Sequence, residues 1–271
     1  MSGRFGWAIL LWMCIGIACR KPQVPTQKYS QYSLTAQVNW ESYGAEVRLI
    51  NPLKCPLRVW IQSQRNDSLA NQFNPLVLKP QQDTMFILPW QQEALRFFSK
   101  LGDVRSTPAI PEMGLPFPKS KAYRVTQGNR TNFTHQGPYA QYAVDFDLAT
   151  GDTISAATSG VVVGVVRDYH EGGNDPRWRD FSNFITIFDP QSGVFTQYVH
   201  LQWQGALVAV GDSVRIGDPI GLAGSTGYST APHLHFACLV PVSTPDGLKS
   251  VPFRFSTGQK STDLRVGEVL P

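Results

Sequence analysis

Two histidines separated by one residue are the first feature of this sequence that could perform chemistry. His233 and His235 lie in the run HLHFACLV, which predicts a β-strand. Because side chains alternate along a strand, both imidazoles project from one face, while Leu234 and Phe236 point to the other. Two imidazoles this close suit metal binding, or one ligand beside one base. A single strand cannot complete a tetrahedral metal site, so further ligands must come from elsewhere.

Three residues are candidates for the remaining ligands: His135, Asp145 and His200. Asp145 lies in YAVDFD, where alternation places it on the same face as Ala143 and Asp147. A carboxylate beside a core costs free energy unless its charge is compensated, and a metal ion compensates it. Two imidazoles and one carboxylate leave a fourth position open for water, which is the arrangement of catalytic rather than structural zinc sites.

Short apolar and alternating runs separated by turn residues must position these side chains. They predict an all-β fold, with a small N-terminal β-sandwich followed by an antiparallel β-sheet domain. The glycine-rich segment between Gly211 and Gly227 is explained by turns rather than by phosphate binding, because no helix is predicted after it. The predicted strands are Tyr32–Trp40, Glu46–Ile50, Leu57–Gln62, Thr84–Leu88, Thr153–Ala156, Gly160–Val166, Phe184–Phe188, Val194–His200 and His233–Val240.

Composition narrows the classes of function. The chain has 271 residues and a formal net charge of only +4, and no run of Lys and Arg is interleaved with aromatic residues. Nucleic-acid binding is therefore not expected. Cys55 and Cys238 fall in different predicted domains, so we expect two buried free thiols rather than a disulfide.

The N-terminus has the pattern of an export signal. Arg4 precedes the apolar stretch Phe5–Ala18, and Cys19 follows. Fourteen helical residues rise about 21 Å, short of the roughly 30 Å of a bilayer core, so a spanning helix is not expected. A charged start and a short apolar region ending in a small residue are typical of a signal peptide. The boundary also resembles a bacterial lipobox, which predicts a lipid on Cys19 and an exported, membrane-anchored lipoprotein in the cell envelope.

These observations predict five segments. A signal peptide covers residues 1–18, and a polar tether covers 19–29. A β-sandwich of unknown role covers 30–105, and a proline-dense stretch then marks the boundary to the domain at 106–245. Residues 246–271 are predicted to be a C-terminal tail.

Three stretches together resemble the lysostaphin/LytM-type zinc metallopeptidases. They are THQGPYAQYAVDFDLATGDTISAATSGVVVGVV, FTQYVHL and VAVGDSVRIGDPIGLAGSTGYSTAPHLHF, and they occur in that family's order between about residues 115 and 240. The resemblance implies the family's duplicated hybrid motif fold and a Zn²⁺ cofactor. It also implies hydrolysis of peptide bonds in bacterial peptidoglycan, within stem peptides or crosslinks.

The resemblance also implies roles for five residues. His135, Asp145 and His235 would bind zinc, while His200 and His233 would flank the water and the transition state as catalytic residues. In many members of the family the first His and the Asp are only four positions apart in sequence, whereas His135 and Asp145 are ten positions apart. This sequence is more similar to a subgroup of the family whose first motif is longer and ends in YAxDF. That similarity favours Asp145 over Asp147 as the ligand.

Two alternatives have to be weighed against this interpretation. The segment VGDSVRIGDPIGLAG is similar to the hairpin of biotinyl and lipoyl carriers, but it lacks their modifiable lysine. Relatives without activity serve as scaffolds or activators of cell-wall hydrolases, which would make a regulatory protein a partner. Such relatives usually have lost ligand residues, and this chain has not.

The loop from Asp168 to Asp180 resembles an insertion, and its His170 is predicted to be exposed.

Overall fold

The structure of the protein, a computed structural model, describes residues 22–63, 75–89, 92–131 and 134–271. The predicted signal peptide and the first three residues of the predicted tether, among them the predicted lipid attachment site Cys19, lie outside these ranges. Within them the regular structure is strand, apart from one 3-10 turn at Pro176–Trp178. A search of the same ranges finds no helix with the length and apolarity needed to span a membrane. The prediction of an all-β fold is confirmed.

Two three-stranded antiparallel sheets form the N-terminal part. Their strands are β1 (Thr35–Glu41), β2 (Gly44–Ile50), β3 (Leu57–Ser63), β4 (Leu76–Leu78), β5 (Asp83–Leu88) and β6 (Leu95–Leu101). In one sheet β2 lies between β1 and β5, and in the other β3 lies between β4 and β6. Side chains of β1 alternate between exposed and half-buried, as expected of a strand that is solvated on one face. This is the predicted sandwich, although β4 and β6 were not predicted.

Sixteen strands of two to eight residues follow in the second part of the chain. They are β7 (Glu112–Met113), β8 (Tyr123–Gln127), β9 (Val144–Phe146), β10 (Thr153–Ser155), β11 (Gly160–Val166), β12 (Gly172–Gly173), β13 (Phe184–Phe188), β14 (Phe195–Val199), β15 (Leu201–Ala206), β16 (Ser213–Val214), β17 (Pro219–Ala223), β18 (Gly227–Tyr228), β19 (Leu234–Pro241), β20 (Leu248–Ser250), β21 (Arg254–Phe255) and β22 (Val269–Leu270).

A nine-stranded antiparallel sheet organises this second part. Its order is β16-β11-β13-β14-β19-β9-β8-β22, and β20 also pairs with β19. A smaller antiparallel sheet has the order β10-β17-β15, and two short parallel pairs join β12 to β18 and β7 to β21. The large sheet places β9, β14 and β19 side by side at its centre, and these strands carry the candidate chemistry.

The two faces of the large sheet have different partners. One face packs into an apolar core with side chains such as Phe146, Leu234 and Phe236. The opposite face contributes Phe195 and Leu239 to a second core, which it shares with the N-terminal sandwich. The sandwich and the large sheet therefore bury apolar area against each other, which contributes stability at roughly 25 cal/mol per Å².

The C-terminal segment and the described part of the tether are more closely packed than the sequence predicts. Residues 246–271 are not a tail, since β20 pairs with β19, β22 pairs with β8, and Phe255 and Leu270 are fully buried. Strands of two or three residues are too short to show the alternation that would have predicted them. The described part of the tether also contacts the second part: Val24 packs on the cluster of Tyr169 and Trp178, and the backbone amide of Tyr29 donates to the Tyr169 hydroxyl at 3.0 Å.

Candidate metal centre

The pairing of two central strands places a carboxylate beside an imidazole. In the register of β9 and β19, Asp145 lies directly opposite His235, and Phe146 lies opposite Leu234. Opposed residues point to the same face, so Asp145 and His235 share one face of the sheet. Phe146 and Leu234 on the other face are fully buried in the apolar core, which fixes the register.

His135 reaches the same point from a loop. The loop follows β8, and two backbone hydrogen bonds of Gln141 close it. The Gln141 amide donates to the Gly137 carbonyl at 2.9 Å, and the Gln141 carbonyl accepts from the Arg130 amide at 2.8 Å. The His135 ring is fully buried, and its Nδ1–H donates to the Gly128 carbonyl at 2.8 Å. This fixes the tautomer, so the lone pair of Nε2 faces Asp145.

Three ligand atoms converge as a result. His135 Nε2 lies 3.1 Å from Asp145 Oδ1 and 3.2 Å from His235 Nδ1, and His235 Nδ1 lies 2.9 Å from the same oxygen. Among the described residues this is the group of at least three His, Cys, Asp or Glu side chains whose ligand atoms all lie within 4.8 Å of one another.

The donor set fits a zinc ion. Two imidazole nitrogens face each other at 3.2 Å, and two lone pairs at that distance repel unless a cation or a proton lies between them. Neutral imidazoles and a carboxylate are common zinc ligands, and three of them leave one coordination position free, as in catalytic sites. The residues therefore match what a catalytic zinc requires.

The charges of the three groups are coupled. Burial raises the pKa of Asp145, but the adjacent His235 and His135 outweigh it and hold that pKa well below its usual range. Burial lowers the pKa of His235 more than the carboxylate raises it. For His135 burial also lowers the pKa, but Asp145 and the Gly128 carbonyl raise it above its usual value overall. An ionised carboxylate and a neutral His235 are the forms that ligate metals.

Two further imidazoles lie beside the cluster. The ring centroids of His200 and His233 are 4.4 Å apart, and the His233 Nε2 atom lies 3.8 Å from Asp145 Oδ2. His200 Nδ1–H donates to the Thr226 carbonyl at 2.7 Å, and His233 Nδ1–H donates to the Ala231 carbonyl at 2.8 Å. With Nδ1 occupied in both rings, Nε2 of each is the atom available for proton transfer.

His200 is held in an unusual backbone conformation. It follows the last residue of β14 with a φ of 69°, in the left-handed region that non-glycine residues rarely occupy. Such strain is found where function needs a fixed side-chain position. Burial, with the neighbouring His233 and His235, lowers the pKa of His200 to about 3, so its imidazole is neutral near pH 7.

The other candidates lie outside the cluster. Asp147 is exposed, and its carboxylate accepts a hydrogen bond from the Arg124 backbone amide at 2.7 Å. His170 is exposed, as predicted, and stacks on Trp203 with ring centroids 4.4 Å apart. Cys238 is buried and unpaired, as is the other cysteine of the described residues.

A cleft of about 730 Å³ opens over the cluster. Sequence patterns did not point to several of its lining residues. Gln197 donates to the hydroxyl groups of Tyr139 at 3.3 Å and Thr186 at 3.2 Å, and Thr186 donates to the side chain of Gln31 at 3.1 Å. Gln31 comes from the N-terminal segment, so no local spacing could have placed it there. Arg179 and Tyr228 also line this cleft.

Comparisons with known proteins match the second part of the chain. Residues 139–244 match the profile of Peptidase family M23, a range that contains Asp145, His200, His233 and His235 and begins after His135. Lysostaphin of Staphylococcus simulans is 37% identical over 131 residues, which cover 45% of this chain and 24% of lysostaphin. The peptidoglycan DD-endopeptidase ShyB of Vibrio cholerae is 32% identical over 160 residues, which cover 56% of this chain and 34% of that enzyme.

A solved structure matches the same part. The crystallised catalytic domain of lysostaphin from Staphylococcus simulans is 31% identical, and the match covers 47% of this chain and 88% of that domain with a TM-score of 0.36. This chain spans only about a quarter to a third of the length of the two curated relatives above.

Proposed function

The chain carries a domain of peptidase family M23, and from this premise we propose that it is an exported zinc metallo-endopeptidase of bacterial peptidoglycan. It hydrolyses peptide bonds in stem peptides or crosslinks. The observation that carries the proposal is the convergence of His135, Asp145 and His235 beside two further imidazoles in an open cleft. The names of the relatives support the substrate, since lysostaphin and a peptidoglycan DD-endopeptidase are among them.

In this proposal the three clustered side chains hold the ion through His135 Nε2, an Asp145 carboxylate oxygen and His235 Nδ1. A zinc ion at such a site supplies Lewis-acid chemistry, because it polarises a carbonyl and makes water more acidic. The Gly128 carbonyl keeps the His135 ring in the ligating tautomer. Outer contacts of this kind commonly change metal affinity about 10- to 100-fold when they are removed.

One of the two imidazoles, His200 or His233, accepts the proton of the attacking water, and the other flanks the transition state. The Thr226 and Ala231 carbonyls hold Nδ1–H of each ring, so each Nε2 can accept a proton from the attacking water. The protonated ring can then donate a hydrogen bond to the oxyanion or pass the proton to the leaving amine. A donor of this kind commonly contributes about 10²–10³-fold to the rate.

The proposed location follows from the N-terminal pattern. Cleavage before Cys19 and acylation of that residue would leave the protein on a membrane surface in the cell envelope, next to peptidoglycan. One acyl chain gives only marginal membrane residence, whereas several make it persistent.

One experiment tests the proposal against a scaffold role. The zinc content of the purified protein is measured, and purified sacculi are digested with products identified by mass spectrometry. We expect about one zinc per chain, released crosslinked fragments, and inhibition by 1,10-phenanthroline. If the zinc-loaded protein leaves sacculi of several wall chemistries intact but stimulates an amidase, the protein is a scaffold and not a peptidase.

A further inference from the structure

A cationic side chain stands at the rim of the cleft. Arg179 is exposed and lines the cleft together with His233 and Tyr228. Its guanidinium carbon lies 5.6 Å from the centroid of the Tyr228 ring, which is a cation–π geometry. Across the described residues no acidic side chain forms an ion pair with it. The aromatic ring positions the guanidinium without neutralising its charge.

The loop that carries Arg179 is fastened to the cleft wall. Trp178 is 3% exposed and packs with Tyr169 and Phe181. Earlier in the same loop, β12 pairs in parallel with β18. A Cβ on Gly172 would lie 2.1 Å from the backbone oxygen of Ser225, which precedes β18. Only glycine allows this approach, so the loop and the strand bearing Tyr228 form one unit.

The acidic neighbour of Arg179 is neutralised from another part of the chain. Asp180 also lines the cleft, and its Oδ2 lies 2.5 Å from Nζ of Lys28 in the N-terminal segment. The remaining acidic group of the cleft, Asp145, is enclosed by three imidazoles. The rim therefore presents a net positive charge on the side of Arg179.

We propose that Arg179 is a specificity-determining residue that binds a carboxylate of the substrate, so that the site favours peptides with a free carboxylate over their amidated forms. The inference rests on the proposed function and adds the substrate class. A guanidinium can donate two parallel hydrogen bonds to a carboxylate, whereas an amide offers a single acceptor and no charge. Lys28 assists by preventing Asp180 from repelling that carboxylate.

The test compares two forms of one substrate. A crosslinked muropeptide dimer is used with its carboxylates ionised and with the same groups converted to amides, at low ionic strength, where exposed charges are less screened. For the wild-type full chain we expect KM to rise roughly 5- to 30-fold on amidation, the range for one charge-assisted contact at a partly exposed site. In Arg179→Gln, amidation should change KM less than about two-fold, a residual that non-charged hydrogen bonds account for.

Matched variants separate this contact from general charge effects. Arg177→Gln removes an equal charge two residues away, where the side chain is paired with Asp175 at 2.7 Å and lies outside the cleft, so it should behave as wild type. Lys28→Gln frees Asp180 and should raise KM for the ionised dimer only. Adding Asp180→Asn to that variant should return KM towards the wild-type value.

The possible outcomes distinguish this inference from the proposed function. Equal responses of wild type and Arg179→Gln to amidation would overturn the carboxylate site while leaving the peptidase intact. If the zinc-loaded wild type cuts neither dimer, the proposed function fails, and equilibrium binding of the two dimers then decides the inference. Tighter binding of the ionised dimer that is lost in Arg179→Gln supports it, and equal binding by both proteins refutes it.

Discussion

At the scale of single residues, ligand atoms of His135, Asp145 and His235 lie within 3.2 Å of one another. Their lone pairs repel unless a cation or a proton lies between them. We therefore expect about one zinc per purified chain, and its loss in His235→Ala and in Asp145→Ala. Asp147→Ala is the matched control, because Asp147 is exposed and paired with Arg124. Atomic emission after dialysis measures the stoichiometry. Zinc retained in Asp145→Ala but lost in Asp147→Ala would reverse the choice of ligand.

The two flanking histidines should behave differently from the ligands. In His200→Ala or His233→Ala we expect zinc and fold to remain, because neither ring is among the three converging donors. Loss of proton transfer or oxyanion stabilisation should still lower the rate on the order of 10²–10⁴-fold. His170→Ala removes an exposed imidazole that stacks on Trp203, and its rate should stay at the wild-type level. Metal analysis beside a muropeptide assay makes the comparison, and zinc loss in His200→Ala would make His200 a ligand.

Sequence alone could predict part of this site. Alternation along HLHF and YAVDF predicted which face of its own strand His235 and Asp145 each occupy. The register of β9 and β19 shows that the two faces are the same one. Alternation could not place His135, because a folded loop brings it to the cluster. Nor could it show that the carbonyls of Gly128 and Thr226 set the tautomers, since backbone carbonyls leave no signature in sequence.

At the scale of elements, the sandwich and the large sheet are joined by a buried arginine. Arg58 on β3 is 1% exposed and donates to four carbonyls: those of Leu101 and Gly102 in the sandwich part and those of Val242 and Gly247 after β19. The Gly247 carbonyl also accepts from the Val242 amide at 3.0 Å, and Arg58 adds a charged donor to all four carbonyls. This side chain therefore links the two parts through hydrogen bonds as well as packing.

Removing that link should destabilise the whole chain. In Arg58→Ala, four carbonyls lose a charged donor and a cavity opens, which should lower the free energy of unfolding by about 3–5 kcal/mol. The control is Arg48→Ala on β2, whose exposed pair with Asp83 should contribute little. Urea unfolding followed by tryptophan fluorescence measures both variants. A change in Arg58→Ala no larger than in the control would show that the two parts do not depend on this contact.

Strands were predicted well where a run of five or more largely apolar residues is bounded by turn residues, and poorly where the strand is very short. Gly160–Val166 and Phe184–Phe188 have the predicted bounds, because each is a largely apolar run ended by turn residues. The final strands β20 to β22 contain two or three residues each, and their pairing depends on distant partners. Local pattern carries too little information to place such strands.

At the scale of the whole molecule, the described part of the N-terminal segment packs beside the cleft. Val24 packs against the cluster around Trp178, Lys28 pairs with Asp180, and Gln31 lines the cleft. Only residues 20–23 separate Cys19 from the first packed side chain. Five residue steps span at most about 18 Å, so an anchored Cys19 would hold the cleft close to the membrane surface.

The last prediction tests that anchor. Acylation of Cys19 by more than one chain should keep the protein in the membrane fraction, because the buried methylene groups each contribute about 0.8 kcal/mol. Cys19→Ser removes the acceptor thiol, so the protein should move to the soluble exported fraction. Sacculus digestion by the purified variant should be unchanged, because the cluster of His135, Asp145 and His235 does not involve this residue. Cell fractionation with immunoblotting follows the location, and Cys55→Ser is the control, since Cys55 is a buried free thiol inside the fold. Membrane association that persists in Cys19→Ser would show that another feature anchors the chain, and the short distance from the membrane to the cleft would no longer follow.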